Sequence, residues 1–395
     1  VTIGHAIGEA VTLEALERDP YPIYARLRDE EPVSYVPAVG LWLVTRHDDV
    51  KHVATEPETF TAATDPSTLN RTMGENMLGM EGPEQGWIRA ITEVPFRPRD
   101  VEERTRGMIP SLADELLGGL ADRGEADLFR ELADPMSVRS LCFMLGLDSV
   151  PWQDILAWNE GLMPGLANFE GDPEKQAPAD DAAAALHHAI GDVLDRLTDE
   201  PDGSVLSWML HHEEDGRRMS REQIVANTTL MLSGGLQEPR DVIALTLWAL
   251  LSNPPQLEEV RRDRSLVKAA VEETLRWAGP VGTATRQATR DVPLAGVTLE
   301  RGALIGAVLS SANRDPRRWT DPDRFDIHRK EGAHLAFSAG THFCLGAWFG
   351  RHLARVTLDH VLGRLPGLGL VPERPVTLSG WEFRAPDSLW VRWRS

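Results

Sequence analysis

The stretch from Ser220 to Leu251 limits the possible folds of this chain more than any other segment. Ser220 and Gln223 have capping-box spacing, apolar residues follow on nearly every side, and Asn253-Pro254-Pro255 stops the run. A helix of that length rises roughly 45 Å, enough to cross a large domain. Leu230, Met231, Leu232, Val242, Ile243, Leu245, Leu247 and Trp248 leave it almost no polar face, so it is predicted to be buried. The strand-like segments are short: a hairpin over Val33 to Val44 turning near Gly40, another over Val292 to Leu299, and a closing strand from Leu389 to Trp393. The expectation is a mainly α chain with small sheets at its periphery, forming one domain over residues 1–395. Gly171 to Asp181, rich in Pro, Gly and Asp, reads as a surface loop within it.

The long helix breaks its own rules at Ser233-Gly234-Gly235-Leu236-Gln237-Glu238-Pro239. Pro239 has no N–H to donate, so the carbonyl of Gly235 loses its partner within the helix. A plain proline kink is the structural explanation. A freed carbonyl beside Gln237 and Glu238, deep in a buried helix, is also a place where water or a ligand would bind. We favour that reading, with Gly235, Gln237 and Glu238 as candidate catalytic groups.

A second helix is predicted to open in Phe337-Ser-Ala-Gly340-Thr-His342-Phe-Cys344-Leu-Gly346, with Leu345, Phe349, Leu353 and Val356 along one face. Cys344 would then lie at a helix N-terminus, where unpaired N–H groups favour the thiolate a metal requires. Gly340 allows a tight turn, Gly346 allows a flat ligand to approach the backbone, and Phe337 shields the sulfur. The only other cysteine, Cys142, sits in the apolar run Ser140-Leu-Cys-Phe-Met144 and reads as core. A single thiolate without a second sulfur supports neither a zinc nor an iron–sulfur centre, whereas haem needs only one protein ligand.

Composition narrows the partners. With 41 basic and 61 acidic side chains the formal charge is −20, which repels nucleic-acid phosphate and anionic lipid. Two cysteines form no disulfide framework, and no stretch reaches the ~18 apolar residues of a membrane span, so a cytoplasmic location is expected.

The cysteine segment resembles the haem-binding loop of cytochrome P450 enzymes. Two further patterns agree with it: Glu273 and Arg276 at i,i+3, and Pro322-Asp-Arg324-Phe325. The likeness runs from Pro20-Tyr-Pro22 to Trp381-Glu-Phe383-Arg-Ala-Pro386. It implies a triangular helical prism with small peripheral β-sheets, and haem b (iron protoporphyrin IX) ligated by Cys344. Glu273, Arg276 and Arg324 would form a buried ion network. Arg89, Arg286 and His342 would hold the haem propionates, and Phe337, Gly340 and Gly346 would shape the cysteine loop. The family's usual histidine four residues before Arg89 is Gln85 here.

The resemblance implies an O2-dependent monooxygenase, with NAD(P)H-derived electrons delivered by a separate ferredoxin or flavodoxin-like reductase. Arg351 and Arg355, behind the cysteine, are the expected docking points. The family's acid–threonine pair in the long helix is Gln237-Glu238 here, so Glu238 is assigned to proton delivery, and a hydrogen-peroxide-driven peroxygenase is the rival. Gly-x-Gln-Glu-Pro, Ser310 to Asn313 and Phe383 are most similar to guaiacol-type aromatic O-demethylases. Two phenylalanines of that group appear as Met73 and Leu166. The expected pocket comprises Met73, Leu78, Leu166, Phe169, Thr283 and Phe383, for hydroxylation or O-demethylation of a small aromatic or apolar compound, with tailoring of a larger secondary metabolite as the alternative.

Overall fold

A computed structural model describes residues 5–166, 168 and 171–394. The central helix runs Arg221–Leu251 and has a complete capping box. The Gln223 N–H donates to the Ser220 hydroxyl at 3.2 Å, and the Ser220 N–H donates to Gln223 Oε1 at 2.9 Å. Helices Asp134–Leu145, Pro173–Asp199, Val267–Ala278 and Ala347–Arg364 pack against it, so its apolar circumference is buried. Loss of water contact by that surface is what holds the prism together.

Trp152–Leu166 and Pro173–Asp199 form an antiparallel pair over the top of the central helix. Small residues let them approach closely: a Cβ on Gly161 would lie 2.8 Å from the Ala182 Cβ, and one on Gly165 would lie 2.5 Å from the Ala179 Cβ. The loop expected over Gly171 to Asp181 is therefore shorter than its composition implies. Pro173 occupies the first helical turn, where its missing N–H costs nothing, and the Asp172 carboxylate accepts the Glu174 N–H at 2.9 Å.

A five-stranded sheet lies to one side, in the order Val33–Val36, Leu41–Val44, Leu304–Val308, Thr283–Ala288, Phe60–Thr61. The first two strands form the predicted hairpin, Val33 pairing with Val44, with Gly40 at φ +66 in the turn. Val292–Leu294 and Val297–Leu299 form the second hairpin, and Trp390–Arg392 pairs with Glu125–Asp127 and Gly369–Leu370. Thr283 and Arg286 lie on the strand Thr283–Ala288 of the first sheet, and the interior is left to helices.

Candidate active site

The cysteine loop is a fixed piece of backbone. The Asn313 amide oxygen accepts the Leu335 N–H at 2.7 Å, and Ser338 and Gly340 take left-handed conformations, φ 59 and +70. Gly340 is required there twice over, because a Cβ would also lie 2.8 Å from the Ala54 carbonyl oxygen. After a short 3-10 turn at Gly340–His342, the Cys344 N–H donates to the Phe337 carbonyl at 3.0 Å.

The following helix begins at Ala347 with Gly346 as N-cap, so Cys344 stands ahead of the helix and does not open it. Burial pushes its thiol up to about 11. The Gly346 N–H donated to the sulfur and the charges of Arg89 and Arg351 oppose that rise, while Glu238 adds to it. The helix terminus expected to ionise Cys344 is thus outweighed by desolvation, and a directly bonded cation is needed to hold the thiolate.

Facing the loop across the interior is the interrupted turn of the central helix. Gly234 keeps exposed surface in an otherwise buried helix, and a Cβ there would meet nothing within 4 Å. Gly235 points elsewhere, its Cβ position lying 2.7 Å from Leu141 Cδ2. Glu238 follows Gly234 by four residues and shares its face. Its Oε2 has no hydrogen-bond partner, and its carboxyl is enclosed by protein although the residue keeps some accessible surface. The charge of Glu238 acts on the Cys344 thiol, so this helix face and the cysteine loop bound a common space, the recess. Burial, with the charge of Asp241, pushes the Glu238 carboxyl up to about 7. Gln237 lies half-buried beside it. The side-chain donor near Pro239 meets the carbonyl of Leu236, one residue beyond Gly235, where the Ser137 hydroxyl donates at 2.6 Å.

Two arginines and a histidine gather at one edge of the recess. Arg286 is buried, yet its guanidinium has a single hydrogen-bond acceptor among the described residues, the Thr285 carbonyl at 2.7 Å. Desolvation accordingly lowers its pKa, with Glu81 opposing. His342 Nε2 lies 2.9 Å from Glu81 Oε1, and Arg89 leans on Glu93 at 3.7 Å. Glu81 is absent from the residues that the sequence singles out, and its signal there is slight: an acid just before the Gly82-Pro83 helix start.

The ion network also differs from expectation. Glu273 and Arg276 form a buried bidentate pair at 2.7 and 2.8 Å. The third side chain is Arg329, whose Nε lies 3.1 and 3.2 Å from the Glu273 oxygens. Arg324 contributes only its carbonyl, which accepts from Arg276 at 3.2 Å and Arg329 at 3.0 Å. Its own side chain turns outward and lies 4.0 Å from Asp326. The segment Pro322 to Phe325 supplies carbonyls to the cations, which leaves the Arg324 side chain on the solvent side of the turn.

Among the residues assigned to the pocket, Val281 bridges Phe383, and the Gly282 N–H donates to the Glu382 carbonyl at 2.7 Å. Phe383 is exposed, and Thr283 is buried with an unpartnered hydroxyl. Leu78 is exposed in a loop that the central helix holds through Asn227, whose Oδ1 accepts the Met77 N–H at 3.0 Å. Met73 ends the helix Thr68–Met73 and is buried, and Leu166 ends the helix Trp152–Leu166. Phe169 lies outside the described residues. On the far side of the cysteine loop, Arg351 is bound by Glu272 at 2.6 and 3.1 Å and stacks on Phe337 at 4.2 Å, while Arg355 is more exposed and lies 3.6 Å from Glu102.

Comparison with known proteins gives this geometry its context. A family model described as Cytochrome P450 matches residues 179–365. Cytochrome P450 107B1 of Saccharopolyspora erythraea is 32% identical, with 96% of this chain and 93% of the relative covered. Vitamin D(3) 25-hydroxylase of Pseudonocardia autotrophica is 34% identical over 89% of this chain and 88% of its own length. Among solved structures, cytochrome P450 CYP109Q5 from Chondromyces apiculatus superposes with a TM-score of 0.88 at 28% identity, covering 98% of this chain and 97% of that one.

The residues present fit the haem this family carries. Arg286 is a buried cation short of acceptors, as a propionate would require, and Gly234 leaves open space on the face of the central helix that Glu238 shares. When bound, haem b supplies the activation of O2, with electrons from an external reductant. A recess that so matches a thiolate-ligated porphyrin, in a chain aligned along most of its length with such enzymes, has one interpretation: the protein belongs to the cytochrome P450 family of monooxygenases.

Proposed function

We propose that this enzyme hydroxylates, or oxidatively O-demethylates, an apolar compound bulkier than a simple methoxyphenol. The observation that carries the proposal is the composition of the pocket end. Leu78, Leu166 and Phe383, with Val281 bridged to Phe383, are the apolar residues assigned to its surface, and Thr283 brings a buried, unpartnered hydroxyl. Such a wall rewards contact area and offers little to a charged ligand. Met73 and Leu166 in place of aromatic rings remove a narrow clamp and favour a larger substrate. Relatives support that direction: 6-deoxyerythronolide B hydroxylase, Vitamin D(3) 25-hydroxylase and Steroid C26-monooxygenase are 29%, 34% and 31% identical.

In this reading Glu238 holds the proton that the reaction consumes. Its enclosed carboxyl, free at Oε2 and pushed up to about 7, is poised to give and regain a proton near neutrality. Leu78 and Phe383 orient the substrate and exclude water. Electrons arrive from a ferredoxin or flavodoxin-like partner at the face behind Cys344. There Arg355 and the exposed Phe343 are the better contacts, because Arg351 is committed to Glu272. We place the enzyme in the cytoplasm, consistent with two free cysteines; among the described residues no helix is long and apolar enough to cross a membrane.

The test is a difference-spectrum screen of the ferric enzyme with methoxyarenes, steroids and macrolactones, followed by turnover with ferredoxin and reductase. Spectral response and hydroxylated or demethylated product from the larger compounds is the expected result. Response confined to small phenols, or turnover only with hydrogen peroxide, would reverse the proposal.

A further inference from the structure

We infer that Glu81 sets the charge of the haem-propionate edge: its carboxylate, held against His342 and facing Arg286, makes the bound haem harder to reduce. The inference rests on where the side chain is used. Glu81 is the N-cap residue of the helix Gly82–Glu93, a position where a carboxylate normally accepts its own helix's N–H groups, yet it makes no cap bond. Instead Oε1 accepts the Ala62 N–H at 2.9 Å and meets His342 Nε2 at the same distance. It thereby joins the turn after the strand Phe60–Thr61 to the cysteine loop.

An ionised carboxylate only accepts, so the imidazole must donate through Nε2, which fixes the ring and leaves Nδ1 for another partner. Partial burial works against the ionised form of Glu81, but the hydrogen bonds from His342 and Ala62, with the electrostatic pull of His342 and then of Arg286, together outweigh it. The edge therefore holds Arg286 and Arg89 as cations and Glu81 as a resident anion, before any propionate is counted. In the family pattern a histidine occupies the position of Gln85, one turn along the same helix; this chain has a neutral amide there. The result is a less positive edge than the pattern would give.

Reduction adds an electron to the haem, and a nearby anion in a site shielded from water opposes it. Glu81 is thus a positioning and charge-setting residue and does not touch the reacting atoms. The experiment uses the full-length, haem-loaded enzyme and three variants, with midpoint potential by spectroelectrochemistry, haem transfer to apomyoglobin and thermal melting as readouts. Glu81→Gln keeps an acceptor for the Ala62 N–H and removes the charge. It is expected to shift the potential positive while melting like wild type. Glu81→Ala should show the same positive shift with haem release faster by several-fold, because His342 loses its anchor. Glu81→Asp keeps the charge and should stay near the wild-type potential. An unchanged potential in Glu81→Gln, or an equal shift in Glu81→Asp, would overturn the inference.

Discussion

Arg329 Nε lies within 3.2 Å of both carboxylate oxygens of Glu273, whose other side is filled by Arg276. All three side chains are nearly closed to solvent. Removing Arg329 leaves the Glu273–Arg276 pair balanced but takes away the hydrogen bonds to both Glu273 oxygens and to Glu331, and lost hydrogen bonds to charged groups cost about 1.5–3 kcal/mol. Arg329→Ala is therefore expected to lower the urea midpoint strongly and to weaken haem retention. Arg324→Ala should change stability by no more than about 0.5 kcal/mol, since that side chain faces water. Equal effects of the two variants would refute this assignment.

Glu238→Gln is expected to uncouple NAD(P)H oxidation from product formation, measured as product per reductant consumed. With the carboxyl pushed up to about 7, the protonated form declines as pH rises through that value. Coupling in the wild type should fall over the same range, and the glutamine variant should show a flat profile. The sign for folding is that of an acid raised in the native state: stability declines from the ordinary carboxyl range up to about 7 and then levels. Wild-type coupling in the variant would remove Glu238 from proton delivery.

Glu272 is the opposite case. Although burial alone would raise it, His334 at 3.3 Å and Arg351 at 2.6 and 3.1 Å hold its carboxyl down at about 2. Its stabilising contribution is complete above the unfolded value near 4.5 and is lost as pH falls from there toward 2. Melting temperature should drop more steeply in that acid window for the wild type than for Glu272→Gln, and parallel curves would contradict the assignment.

Gly282→Ala probes the pocket wall. A Cβ there would lie 2.0 Å from the Trp381 carbonyl oxygen, a backbone atom that cannot rotate away. The strain should cost about 1–3 kcal/mol and displace Phe383, so the substrate-induced spectral change should weaken by more than the stability loss alone explains. A variant that melts and binds like wild type would show that the wall is pliable.

Much of this is legible in the chain itself, for reasons that differ by residue. The capping box at Ser220 and Gln223 uses neighbouring atoms, so its spacing is enough to locate it. The loop at Cys344 is legible because glycine and cysteine are each needed at particular backbone positions. Arg329 escapes such a reading because the chain offers Arg324 and Arg329 on the same turn, and only the path of the backbone decides which one points inward. The extent of the helix after Asp172 is misjudged for a related reason: prolines near a helix start look like breakers until the cap is seen. Glu81 meets its partner across 261 residues, a relation no local pattern encodes.

The turn carrying Phe383 has a further consequence for how the enzyme is made. Arg384 donates to the carbonyls of Glu17 and Arg18, the latter 366 residues earlier in the chain, and to Gly380. Translation delivers the described helices, the last of them Ala347–Arg364, before this arginine emerges, so one wall of the chamber is added only after them. A nascent chain stalled short of that point would have most of its helices and no finished place for its substrate.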